Sequence, residues 1–183
     1  MPDPLLHFKQ TLVAVARREI GKKETEGPNE GPDVRKYQKA TWLDPGPWYW
    51  CAAFVCWCVA KAVELTGLRP FSGKLPRTAG AFDFANWADD KHPDTGKYMA
   101  RSGKGVIVLD PKTNRVEFGD IVIYKSSHIG IASSGENSAR NFSAVEGNTN
   151  DGGSRNGDGT YERNRNASEL KQIVRIVGPE NEQ

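Results

Sequence analysis

No stretch of the sequence approaches the roughly 18 consecutive apolar residues of a membrane span. The opening, Met1-Pro2-Asp3-Pro4-Leu5-Leu6-His7, has no basic start, no long apolar core and no small-residue cleavage site, so no secretory signal is expected. Synthesis and folding in a cytoplasm are therefore expected, and action outside it needs another exit route. There is little net charge: 25 basic residues face 23 acidic ones, which argues against a nucleic-acid partner held by a strong basic field. Cysteine is scarce, and its three copies, Cys51, Cys56 and Cys58, crowd into one segment. An odd number without a spread-out framework speaks against a disulfide scaffold. With no second pair of cysteines or histidines at ligand spacing, zinc is not expected either, and neither is any other metal or cofactor. No repeat and no interior linker is visible.

What is present is a chain of 183 residues, 37% apolar, with a mean hydropathy of -0.62. Residues 1–183 are expected to form a single domain with a core of its own, residues 179–183 being a frayed tail. The first half reads as helices. Leu5, Phe8, Leu12, Val15, Ala16 and Ile20 recur at helical spacing up to Gly21. Pro32 opens a short helix from Asp33 to about Trp42. A third helix starts near Cys51 and stops before Gly67, and a fourth is expected from Thr78 to Asp90, ahead of His92-Pro93. The second half reads as strands: Val106–Leu109, Ile121–Tyr124, Ile129–Ala132, Phe142–Glu146, Ile173–Val177 and, more exposed, Thr160–Arg165. The stretch from Asn148 to Gly159 contains Asn-Gly and Asp-Gly pairs and no EF-hand ligand pattern, so it is read as a long hairpin connection. Helices first and strands afterwards predict an α+β fold, with N-terminal helices packed on one face of an antiparallel β-sheet.

Within that frame Cys51 has a distinctive position. It lies where Pro45-Gly46-Pro47-Trp48-Tyr49-Trp50 gives way to the helix, so its sulfur meets unpaired N–H groups and the positive end of the helix dipole. The stripe Cys51, Val55, Cys58, Ala62 and Leu65 is expected to face the sheet. Cys58 lies two turns deeper and Cys56 points away, and both are read as packing residues. Among the histidines, His7 reads as a surface residue of the first helix and His92 as a loop residue. His128 begins a strand on which Gly130 and Ala132 share its face, leaving room for a cleft. A third group must fix the imidazole tautomer, and Glu146 and Asn148 share one strand parity. The carboxylate favours Glu146, with Asn148 as an accessory residue. Trp48 and Trp50 are candidates for lining a substrate groove, whereas Trp57 reads as packing. A nucleophile on a helix, a base on a strand and an orienting acid on the next predict a cysteine hydrolase.

The motifs that carry these residues resemble the CHAP domain. They are Trp50-Cys51-Ala52-Ala53-Phe54-Val55, then Gly119-Asp120-Ile121-Val122 and Ser127-His128-Ile129-Gly130-Ile131, then Val145-Glu146-Gly147-Asn148-Thr149. CHAP domains are cysteine, histidine-dependent amidohydrolases/peptidases related to the NlpC/P60 group within the papain-like fold. Gly27-Pro28-Asn29-Glu30-Gly31-Pro32 and Asn156-Gly157-Asp158-Gly159-Thr160-Tyr161 are similar to its phage-lysin-like members. The likeness spans roughly residues 10–177. It implies hydrolysis of an amide bond of bacterial peptidoglycan, by an amidase or a peptide endopeptidase, with Cys51 as nucleophile, His128 as base and Glu146 as orienter. Cys56, Cys58 and the segment 71–105 have no counterpart in these motifs. A phage lysin or a secreted antibacterial toxin would each fit, with a holin or an immunity protein as genetic partner. The rival expectations are a protein-directed cysteine peptidase and a non-catalytic wall-binding or phage structural module.

Overall fold

Local chemistry sets where the helices begin and end. The Asp3 carboxylate accepts the Leu5 N–H at 2.9 Å, and Pro4 supplies the first helical residue of α1 (Pro4–Arg18). Pro32 does the same for α2 (Pro32–Gln38). This helix is shorter than the expected 33–42, because Thr41 turns its hydroxyl back to the Gln38 carbonyl. The buried Gln38 carboxamide then donates to the Gly46 and Trp48 carbonyls and accepts the Gly46 N–H, which ties down the loop leading to Cys51. The third helix, α3 (Cys51–Thr66), has no glycine or proline inside it and ends where Gly67 takes a left-handed φ of 64°.

The computed structural model describes residues 3–87, 105–152 and 156–178. In place of the expected helix from Thr78 to Asp90 there is a 3-10 helix, Phe82–Trp87. Thr78 Oγ1 accepts the Gly80 N–H at 3.1 Å, a local bond that competes with helical pairing. Phe84 and Trp87 then pack edge to face, and Trp87 does the same with Phe71, which meets Phe8 of α1. Residues 88–90 and His92 lie outside the described residues, as does the tail 179–183.

Six strands follow: β1 (Val106–Leu109), β2 (Ile121–Tyr124), β3 (His128–Ala132), β4 (Asn141–Thr149), β5 (Gly159–Asn166) and β6 (Leu170–Ile176). They form one sheet in the order β1-β6-β2-β3-β4-β5, antiparallel throughout. The chain is thus α+β. Alternation along the strands divides the side chains between two cores. Ile121, Ile123, Ile129, Ile131, Val145 and Val174 meet α1 and α3. Val122, Tyr124, Ala132, Phe142, Ala144, Leu170 and Ile173 form the other face, joined by Val116 and Ala167. Only the 3-10 turn Ala167–Glu169 links β5 to β6, although three strands separate them in the sheet. Such a short link requires the sheet to curl around the second core.

Nearly every side of α3 is covered, rather than one stripe. Residues 51–56, 58, 59 and 62 are buried, whereas Leu65 is exposed. Cys56 does not point to solvent: its thiol reaches the Thr78 carbonyl at 3.6 Å, and burial pushes it up to about 12. Cys58 is likewise enclosed, near Glu19 and Lys36 of the helix layer, and burial raises its pKa. Both are packing residues. The segment 71–87 has become part of the helix-side core, which explains why α3 has no polar face for a stripe to oppose.

Candidate active site

Cys51 is the first residue of α3, and its N-cap residue, Trp50, makes no side-chain capping bond. Its own N–H belongs to the first turn, where backbone donors have no partner within the helix, and can serve as an oxyanion donor. It retains 5% of its surface, while Cys56 and Cys58 retain none.

The β2–β3 turn, residues 125–127, is short and places Tyr124 and His128 opposite each other. Their rings stack at 5.7 Å with an interplanar angle of 23°. From the neighbouring strand Glu146 reaches His128, with Oε2 at 2.9 Å from Nε2. A carboxylate can only accept, so this bond assigns the ring proton to Nε2 and leaves Nδ1 as the basic nitrogen. Nδ1 makes no hydrogen bond of good geometry among the described residues. The Cys51 thiol is nonetheless close enough to raise the proton affinity of the ring. Burial opposes a charge on the ring. The Cys51 thiol and the Glu146 carboxylate together outweigh it, and the pKa of His128 rises to about 9. Cys51, His128 and Glu146, distant in sequence, thus share one buried location.

Two residues of the site carried no recognisable mark in the sequence. Tyr124 donates its hydroxyl to Glu146 Oε1 at 2.7 Å. Arg165 donates from Nε to Oε1 at 2.8 Å and from Nη2 to Oε2 at 2.6 Å. Its guanidinium also lies over the Tyr124 ring at 4.9 Å and reaches Glu169 at 3.6 Å. Burial alone would raise the pKa of Glu146, but the hydrogen bonds from Arg165 and His128 reverse that and lower it to about 2.

The small face beside His128 serves the carboxylate rather than a ligand. A Cβ on Gly130 would come within 2.7 Å of Glu146 Cγ, so Gly130 makes the room in which that side chain lies.

Asn148 does not share the Glu146 environment. Glu146 pairs with Tyr161 but Thr149 pairs with Gly159, so one extra residue bulges from β4. The bulge falls on Asn148, which has a left-handed φ of 57°. Its amide donates to Glu24 Oε1 at 3.2 Å, Asn29 Oδ1 at 3.0 Å and the Gly157 carbonyl at 3.1 Å. Asn148 joins the 22–30 loop to the β4–β5 connection, and contact with His128 is not among its bonds.

The expected groove tryptophans separate as well. Trp50 is 1% exposed, stacked on Tyr37 at 5.3 Å, with its indole N–H on Glu24 at 3.0 Å. That enclosure makes it a packing residue, and Gly147 lets β4 approach it closely. Trp48 is half-buried, held by its N–H on the Asp44 carbonyl at 2.8 Å. The exposed aromatic nearest to Cys51 in the sequence is Tyr49, with 53% of its surface free. Among the described residues, no group of three or more His, Cys, Asp or Glu side chains is placed to hold a metal, and no helix is long and apolar enough to cross a membrane. No protein-family model matches the chain, and no curated protein matches it.

Proposed function

We propose that the protein is a cysteine hydrolase of the CHAP type, with a papain-like fold, that cleaves an amide bond of peptidoglycan. The observation that carries this reading is the shared location of three groups. The Cys51 thiol lies against an imidazole whose far nitrogen is held at 2.9 Å by an ionised, buried Glu146. A structural histidine has no need of an anionic carboxylate on one side and a thiol at a helix N-terminus on the other. The order of the motifs around Cys51, His128 and Glu146 supports the wall-directed form of the activity.

His128 Nδ1 takes the thiol proton, giving a thiolate beside an imidazolium that Glu146 stabilises. The sulfur attacks the amide carbonyl carbon, and the Cys51 N–H in the first turn of α3 meets the oxyanion. Nδ1–H then protonates the departing amine as the C–N bond breaks, leaving a thioester on Cys51. Water, deprotonated by the same nitrogen, attacks the thioester. A carboxylic acid leaves and the thiol is restored.

Mass spectrometry of purified sacculi incubated with the protein tests this reading and names the bond. New amine and carboxyl ends in the released fragments are expected. If the sacculi stay whole while an unfolded polypeptide is cut, the protein is a protein-directed peptidase instead. If neither is cut although sacculi are bound, the hydrolase reading fails.

A further inference from the structure

Resting on the assignment of Cys51, His128 and Glu146 above, we propose that Arg165 is a positioning residue, helped by Tyr124, which leaves Glu146 one acceptor site and points that site at His128 Nε2. A carboxylate offers about four lone-pair positions on its two oxygens. Arg165 occupies one on each, at 2.8 and 2.6 Å. Tyr124 occupies the second on Oε1 at 2.7 Å. The single position left, on Oε2, is the one facing the imidazole at 2.9 Å. The carboxylate cannot rotate without breaking two ionic hydrogen bonds in a buried site, so the ring is aimed as well as charged.

The surrounding groups agree with this division of labour. Among the described residues, the charged or titratable groups facing His128 are Cys51 from α3, Tyr124 from β2 and Glu146 from β4. Arg165, from β5, faces the carboxylate, and its own outer neighbour is the half-exposed Glu169 at 3.6 Å. Arg165 is therefore positioned to act on the imidazole through Glu146. Its hydrogen bond is the largest influence holding that carboxyl ionised against burial. Lysine could not replace it fully, because an ammonium cannot span both oxygens in one plane.

The test is the rate at which a thiol reagent alkylates Cys51 as a function of pH, with the modified peptide identified by mass. In the native protein the rate falls along an acid limb, which is the reference for the variants. In Arg165→Met the acid limb should move up by at least one pH unit, about a tenfold slower reaction on that limb. Arg165→Lys should move it by a smaller amount, roughly threefold in rate. In a Glu146→Gln background Arg165→Met should add less than about twofold, because a residue acting through Glu146 has nothing left to act on. A folded Arg165→Met protein with the native profile overturns the proposal, and so does an effect that adds fully to that of Glu146→Gln. If Arg165→Met does not fold, Arg165→Lys decides: an unshifted acid limb overturns it. Alkylation needs no wall substrate. A shifted profile in a protein that leaves sacculi intact would keep this inference and reject the wall-directed reading, and an unshifted one in an active hydrolase would do the reverse.

Discussion

Gly130→Ala is the sharpest structural perturbation of this site. The new methyl would lie 2.7 Å from Glu146 Cγ and 3.1 Å from the Val145 carbonyl oxygen. A relaxed carbon–carbon contact is about 3.5 Å or more, so Cγ must retreat by roughly 0.8 Å. The carboxylate is held by Arg165, Tyr124 and His128 and cannot move freely. A shift of that size would stretch the bond to His128 from 2.9 Å beyond the roughly 3.2 Å range of a good hydrogen bond. Overpacking of this kind costs about 1–3 kcal/mol, which for a chain of this length lowers the melting temperature by roughly 3–10 °C. Gly135 is exposed and a Cβ there meets its nearest neighbour only at 3.7 Å, so Gly135→Ala is the control and should leave stability level or slightly raised. Thermal unfolding followed by circular dichroism reads the first effect, and the alkylation rate of Cys51 near neutral pH reads the second. A Gly130→Ala protein that melts with the native one and keeps its Cys51 reactivity would refute the claim that Gly130 makes the space for Glu146.

Two further outcomes follow from the same contacts. Glu146→Ala should cost more Cys51 reactivity than Asn148→Ala, which should chiefly lower stability, by about 2–3 kcal/mol in denaturant unfolding, through its lost bonds to Glu24, Asn29 and Gly157. The reverse ranking in reactivity would give the orienting role to Asn148. Glu146 has a folded pKa of about 2 against an ordinary 4.5, so its ionised form contributes stability that is complete above about pH 4.5 and lost as the pH falls toward 2. That difference corresponds to about 3 kcal/mol. The stability gap between the native protein and Glu146→Gln, measured by denaturant titration, should therefore narrow across that window; a constant gap would contradict the ionised, clamped carboxylate.

The parts of the fold readable in the sequence were those in which one local rule decides. Pro32 starts α2, Gly67 stops α3, and the apolar runs Ile121-Val122-Ile123 and Ile129-Gly130-Ile131 mark β2 and β3. Cys51 was visible because its position depends only on where a helix begins. Other features depended on long-range packing. Arg165 belongs to the run Tyr161-Glu162-Arg163-Asn164-Arg165-Asn166, whose alternation looks like a solvated edge strand, and its guanidinium reaches along the paired strand from Phe142 to Glu146. The parity shared by Glu146 and Asn148 failed because Asn148 is itself the left-handed residue on which the bulge falls. Trp50 gave no sign that Tyr37 and Glu24 would enclose it, since both come from distant segments. The stripe on α3 lost its meaning once segment 71–87 covered the opposite face.

The central claim is that the sulfur of Cys51 performs the cleavage, and Cys51→Ala tests it most directly. The substitution removes a nucleophile and little volume, so the protein should keep its circular dichroism spectrum and its melting temperature to within a few degrees. Digestion of purified sacculi by that folded protein should fall to background. Fragment release at the native rate would contradict the account.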